Sequence, residues 1–313
     1  MQRPVTGSAH ERRQSGDRRV SADNPAIDTV IAARTRDLGG FEVARVLPSA
    51  RRRMVGPFIF LDQIGPAEFL TGTGIDVRPH PHIGLSTLTY LYSGALMHRD
   101  SQGHAQVIRP GEVNWMTAGR GIAHSERSPE DARADAHDLF GLQFWVALPK
   151  DREETDPSFV HYSNDEVATV VGNGIDVTVV AGTLWGATSE VETVADLVFA
   201  DIALDAGAEA PIDADHEERA VYVLSGRIVL AGSTFSAGEL AVLAPGHATT
   251  VKAEEASRVA LLGGPTADGP RHIWWNFVSS SKERIEDAKA DWKAGRFPLV
   301  AGDESEFIPL PEQ

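Results

Sequence analysis

Cysteine is absent from all 313 residues. This excludes a disulfide framework and any thiolate-rich structural zinc site. No apolar run approaches the ~20 residues that a membrane-spanning helix requires, so no membrane association is expected. Positive charge is also scarce. With 29 basic against 45 acidic side chains, the formal net charge is −16. That repels phosphate over most of the surface and speaks against direct binding to nucleic acid. The exception is residues 1–20, where Arg3, Arg12, Arg13, Arg18 and Arg19 stand against Glu11 and Asp17. No sustained apolar periodicity accompanies them, and residues 1–30 read as a flexible N-terminal arm. An export signal would need an uninterrupted apolar stretch after the paired arginines. Asp28 breaks the one candidate, Ala26 to Ala33, so the default expectation is a soluble cytoplasmic protein.

What the chain does contain is two i, i+2 pairs of metal-binding side chains, His80-Pro81-His82 and His124-Ser125-Glu126. Alternate residues of an extended strand face one side of the sheet, so each pair points two donors into one space. Two such strands brought together supply three imidazoles and one carboxylate. That set suits Fe(II), Mn, Ni, Co, Cu or Zn far better than Ca or Mg. On an octahedral ion it leaves two positions for water, dioxygen or a chelating substrate, which points to chemistry rather than scaffolding. The surroundings read as antiparallel strands and turns. Gly84, Gly94, Pro110-Gly111, Gly119 and Gly121 punctuate short apolar runs, among them Leu85 to Tyr92 and Glu112 to Met116. The pairs lie 42 positions apart (124 − 82), enough chain for several strands of a small barrel to run out and return.

The run from His80 to Glu126, HPHIGLSTLTYLYSGALMHRDSQGHAQVIRPGEVNWMTAGRGIAHSE, resembles the N-terminal metal-binding half of the pirin family, within the cupin superfamily. The likeness extends through Gly56-Pro57-Phe58-Ile59-Phe60-Leu61-Asp62 and Gly141-Leu142-Gln143-Phe144-Trp145-Val146. It implies a bicupin with His80, His82, His124 and Glu126 as the four ligands of one metal, usually iron. A general cupin carries a glutamate shortly after its first histidine pair, where this chain has Ser86; the pirin pattern takes its carboxylate from the second motif. The resemblance also implies quercetin 2,3-dioxygenase activity, in which dioxygen opens the central ring of a flavonol and carbon monoxide is released.

The length is about twice that at which a single core is commonest, and an internal repeat locates two domains. Tyr90-Leu91-Tyr92-Ser93-Gly94 recurs as Tyr222-Val223-Leu224-Ser225-Gly226, and Pro110-Gly111-Glu112-Val113 as Ala237-Gly238-Glu239-Leu240. Carrying the ligand positions across puts Ile212 and Ala214 in place of the histidine pair, and Val251 and Ala253 in place of His124 and Glu126. One metal per chain is expected, in the first barrel, with His216 and His247 read as solvated loop residues. The fold class is therefore all-β, two tandem cupin-type barrels with a short C-terminal α-helix. The expected limits are a metal-binding barrel over 31–150, a charged linker over 151–160, a second barrel without ligands over 161–278, and a helix and tail over 279–313. Ile285, Ala288 and Trp292 share a helical face, Ser280 and Glu283 have capping-box spacing, and Gly295 is placed to stop the helix. Trp274 and Trp275 before it read as core.

The expected chemistry is binding of a flavonol 3-hydroxyl at the metal, with Glu126 as ligand or as the base that accepts the hydroxyl proton, and attack by dioxygen. Phe58, Phe60, Met116, Phe144 and Trp145 are candidate apolar walls, more simply read as packing. His98 is expected to pair with Asp100 or solvent, and Arg120 to sit on an exposed turn near the entrance. Two further readings use the same ligands. One is a non-catalytic regulator whose metal redox state changes the surface shown to a protein partner; the other is a cupin isomerase or related metalloenzyme acting on a sugar or small acid.

Overall fold

A computed structural model describes residues 24–37 and 41–312. The arm expected over 1–30 lies outside the described residues up to position 23. The structure is all-β, and the same arrangement occurs twice. In the N-terminal half, a seven-stranded antiparallel sheet has the order Ser158–Tyr162, Val113–Thr117, Leu85–Ser93, His137–Ala147, Phe58–Phe69, Glu42–Leu47, Arg34–Asp37. A four-stranded sheet, Asp76–His82, Ile122–Arg127, Leu96–Asp100, Ala105–Ile108, closes over it. The C-terminal half repeats the seven-plus-four pattern, with Ile27–Ala32, Glu239–Leu243, Glu218–Ser225 and Ser257–Gly264 at one side of its large sheet. Its small sheet contains Glu209–Ile212 and Thr249–Ala253, where Ile212, Val251 and Ala253 are core residues. Ala210 pairs with Val251 there as His80 pairs with His124 in the first barrel, so buried Ala210 and Ile212, rather than Ile212 and Ala214, stand in place of the histidine pair, with Val251 and Ala253 in place of His124 and Glu126.

The outer faces of the two large sheets meet in one continuous core. Phe58, Leu88, Tyr90 and Phe144 from the first pack with Phe199, Tyr222, Leu240 and Leu262 from the second. At this junction the Tyr222 hydroxyl donates to Gln63 Oε1 at 2.7 Å. Burial of so many large apolar groups makes the halves a single packed unit rather than two tethered ones.

Sheet membership departs from the limits expected from sequence. Strand Ile27–Ala32 belongs to the sheet of the second barrel, with Val30 opposite Ala241, and its Val30 and Ile31 are fully buried. Strand Ser158–Tyr162, which begins inside the expected linker, belongs to the first, with Val160 opposite Trp115. Each strand covers an edge that would otherwise present unpaired backbone groups. The charge run that suggested a linker is tied down as well, since the Glu153 carboxylate is buried against Arg271, at 2.9 Å, and accepts the backbone N–H of Ser280.

The C-terminal helix spans Lys282–Lys293. Its N-cap is Ser281, whose hydroxyl accepts the Arg284 N–H at 3.2 Å; the expected Ser280 instead donates to Glu153. The helix ends in a Schellman motif: Gly295, at φ +66°, donates to Trp292 O, and the Arg296 N–H reaches Asp291 O. Ile285 and Ala288 are buried against Ile83, Phe277 and Phe297, so the helix packs on the turn that follows His82.

Candidate metal centre

Strands Asp76–His82 and Ile122–Arg127 pair antiparallel with His124 directly opposite His80. Cross-strand partners share a face, so His80, His82 and His124 project together into the barrel interior. Their ring centroids are 4.4 to 5.0 Å apart, and one nitrogen from each lies within 4.8 Å of the others. Among the described residues this is where a metal-binding group gathers.

The hydrogen bonds around the rings select the nitrogen that faces inward. His80 Nδ1–H donates to Arg78 O at 2.9 Å, and His82 Nδ1–H to Asn276 O at 3.0 Å. Each leaves Nε2 as a bare acceptor. His124 turns Nδ1 toward His98 and leaves a buried Nε2 without a hydrogen-bond partner. Burial holds all three rings neutral. It lowers the pKa of His80 to about 4 and those of His82 and His124 well below the ordinary range, with neighbouring imidazoles adding to the effect on all three. Neutral imidazoles with convergent lone pairs are the ligating form, so these residues fit a divalent transition metal.

Glu126 lies outside the tight group of three but on the wall of the same cavity. Thr89 Oγ1 approaches its Oε1 at 3.4 Å, and Gln143 also hydrogen-bonds to it. Desolvation raises its carboxyl to about 7, opposed by those two hydrogen bonds. A cation beside it would favour the carboxylate.

The cavity holds about 480 Å³. Phe60 and Trp145 line it as a stacked pair, and Trp145 meets His82 in a T-shaped contact with ring centroids 5.1 Å apart. Arg45 lies over the Phe60 ring at 4.5 Å and makes two hydrogen bonds to Asp62, at 2.9 and 2.8 Å. The far wall comes from the chain's end: Trp275 and Asn276 line it, as does Ile308, whose N–H donates to Pro79 O at 2.8 Å. Arg127 secures this segment by binding Asp303 and Glu306.

Of the proposed apolar walls, Phe60 and Trp145 face the cavity, whereas Phe58 and Phe144 belong to the core between the barrels. Met116 packs behind the pair. Phe58 and Phe60 would share a face in a regular strand. The register steps from Trp145↔Phe60 to Val146↔Phe58, and this bulge turns Phe58 to the opposite side. Arg120 pairs with Asp156 on the surface, away from the cavity. Trp275, expected as core, lines the cavity. Sequence reasoning missed Arg45, Asp62, Thr89 and Gln143. Gln143 was within reach, since it stands two residues before Trp145 in an extended strand.

Residues 40–146 match the pirin family, and residues 199–298 match the pirin C-terminal cupin domain. The chain belongs to the pirin family. A pirin-like protein of Caulobacter vibrioides is 52% identical over 289 residues, covering 91% of this chain and all of that protein. Among solved structures, a quercetin 2,3-dioxygenase from Acinetobacter baumannii superposes with a TM-score of 0.86 at 34% identity, covering 93% of this pirin and 96% of that chain. A bacterial pirin from Escherichia coli in complex with nickel(II) shares the fold, with a TM-score of 0.60 at 18% identity over 76% of this chain and 99% of its own. The family and the three-histidine site together fit a metal-dependent cupin, and the fold is that of a bicupin. No described helix is long and apolar enough to cross a membrane.

Proposed function

We propose that this pirin is a metal-dependent dioxygenase that opens the central ring of a flavonol with dioxygen and releases carbon monoxide. The observation that carries this reading is the juxtaposition of three inward, neutral histidines with an aromatic pair in one cavity. The likeness to the A. baumannii quercetin 2,3-dioxygenase supports the substrate class.

His80, His82 and His124 would hold the metal through Nε2, with Glu126 as fourth ligand. We take the metal to be Fe(II); Mn, Ni, Co, Cu or Zn suit the same donors, and the E. coli relative holds nickel. A metal bound there would supply Lewis acidity toward the flavonol hydroxyl. The remaining work falls to the protein. Phe60 and Trp145 offer a flat apolar surface for a planar polycyclic substrate. Glu126, held as the carboxylate by a cation beside it, accepts the 3-hydroxyl proton. Gln143 and Thr89 hold that carboxyl in place. The C-terminal segment through Ile308 walls one side of the cavity. Among the described residues the second barrel supplies no metal ligand, and we place the protein in the cytoplasm.

The test is oxygen uptake and carbon monoxide release by anaerobically Fe(II)-loaded protein on addition of quercetin. Both are expected, and both should vanish in His124→Ala together with the bound iron. Absence of turnover at full iron occupancy would transfer the assignment to the regulator that binds a protein partner or to another cupin substrate.

A further inference from the structure

His124 is the one candidate ligand whose outward nitrogen meets a side chain rather than a backbone carbonyl. Its Nδ1 faces His98 Nδ1 at 3.4 Å, and the far side of that second ring, Nε2, lies 3.1 Å from Asp100 Oδ2. His98 is 5% exposed and Asp100 not at all. Strand register explains the meeting. Leu96–Asp100 pairs with Ile122–Arg127, setting Asp100 opposite His124 and His98 opposite Glu126, so the four side chains share the inner face. The His98 plane is held by Phe159, stacked at 4.2 Å with 12° between rings.

Two facing Nδ1 atoms can hydrogen-bond in only one direction at a time, and the rest of the cluster decides which. Asp100 is surrounded by donors. Its Oδ1 accepts the backbone N–H groups of Gln102 and His104, at 2.9 and 3.1 Å, and the half-exposed His104 ring donates through Nδ1 at 3.0 Å to Oδ2. The carboxylate therefore acts as acceptor toward His98, and the proton of that ring sits on Nε2. His98 Nδ1 is then a lone pair, His124 Nδ1 must carry the proton that fills it, and His124 Nε2 is left bare toward the cavity. That is the atom found buried without a partner. Read from the metal side, the chain has the same direction: a cation on Nε2 requires the proton on Nδ1.

We infer that His98 and Asp100 are positioning residues that fix the tautomer and ring orientation of His124 for metal binding. Their action is on the ligand, not on a substrate. The inference rests on the metal centre and is independent of the flavonol reading. Such outer partners typically account for 10- to 100-fold in metal affinity.

Asp100→Asn is the discriminating variant. It is isosteric, and its oxygen can still accept the two backbone N–H groups. Its amide then faces His98 Nε2 as a donor, reversing that ring and setting two N–H groups against each other at His124. His98→Phe keeps the stack on Phe159 and removes the acceptor. Affinity for Co(II) alone is measured by chelator competition on folded protein, and imidazole ¹⁵N spectra of metal-free protein report each tautomer.

Both variants should bind Co(II) about 10- to 100-fold more weakly. Unmodified His124 should be protonated at Nδ1, and His98 should move its proton to Nδ1 in Asp100→Asn. A loss below about threefold in either folded variant, or His124 protonated at Nε2 in the unmodified protein, overturns the inference. If neither variant folds, the tautomers of the unmodified protein decide it. Unmodified protein that takes up no Co(II) overturns the metal centre and this inference with it. Tight Co(II) binding without flavonol turnover touches only the proposed activity.

Discussion

The indole of Trp145 stacks on the ring of Phe60, centroids 4.1 Å and planes 13° apart, and also meets His82 in a T-shaped contact. One side chain thus belongs both to the apolar wall and to the surroundings of a ligand. The two residues are direct cross-strand partners, Trp145 on strand His137–Ala147 and Phe60 on strand Phe58–Phe69. Cross-strand aromatic pairs are worth about 0.5–1.5 kcal/mol beyond the area they bury.

This pair gives a prediction that separates wall from metal. Trp145→Leu keeps an apolar side chain but removes the flat surface. The expected result is a KM for quercetin raised about tenfold, equivalent to ~1.4 kcal/mol of lost binding, with iron content unchanged. Steady-state kinetics beside metal analysis checks it. An unaltered KM would mean the substrate does not lie on this wall.

The turn after His82 is held by Gly84, at φ +67°, where an added Cβ would collide with the carbonyl oxygen of Val278. That carbonyl belongs to the strand Phe277–Ser279, just beyond Asn276, the acceptor for His82 Nδ1. Gly84→Ala is therefore expected to destabilise the protein by at least about 2 kcal/mol, from left-handed strain and the collision. Metal affinity should fall with it. Urea titration and Co(II) binding measure the two effects, and a variant as stable as the parent would contradict the packing described.

Asp201 is buried at the junction of the barrels, and burial raises its carboxyl to about 6. Arg258 at 3.8 Å and the Tyr92 hydroxyl, which donates to it at 3.2 Å, oppose the shift, while Asp176 adds to it. A carboxyl raised on folding stabilises the fold below its ordinary pKa of about 4, and that stability is lost as pH rises through 6. Asp201→Asn escapes the loss while keeping an acceptor for Tyr92. It should match the parent near pH 4 and exceed it by about 1–3 kcal/mol at pH 8. Denaturant midpoints at both values test this; a variant less stable at pH 8 would show that the Arg258 pair outweighs desolvation.

Much of the centre was legible because strand alternation is local. The i, i+2 spacing of His80 with His82 places both on one face whatever the rest of the chain does. The repeat exposed the second barrel's missing ligands for the same reason, since Ile212 and Val251 stand at the matching positions. Glycine at position 295, with its freedom to adopt positive φ, marked the helix end. Ser281 rather than Ser280 became the N-cap because Glu153, distant in sequence, engages Ser280.

By itself the sequence determined an all-β repeat, the histidine trio and the family, through residue types and periodicities that act within a few positions. Only the tertiary structure decided which aromatic residues reach the cavity, because the bulge at Phe60 reverses a face that alternation would assign to Phe58. It also brought together groups far apart in the chain: Ile308 against Pro79, Asn276 against His82, strand Ile27–Ala32 on the edge of the second barrel, and His98 behind His124. Those contacts arise from long-range strand pairing and shared burial, which no local pattern encodes.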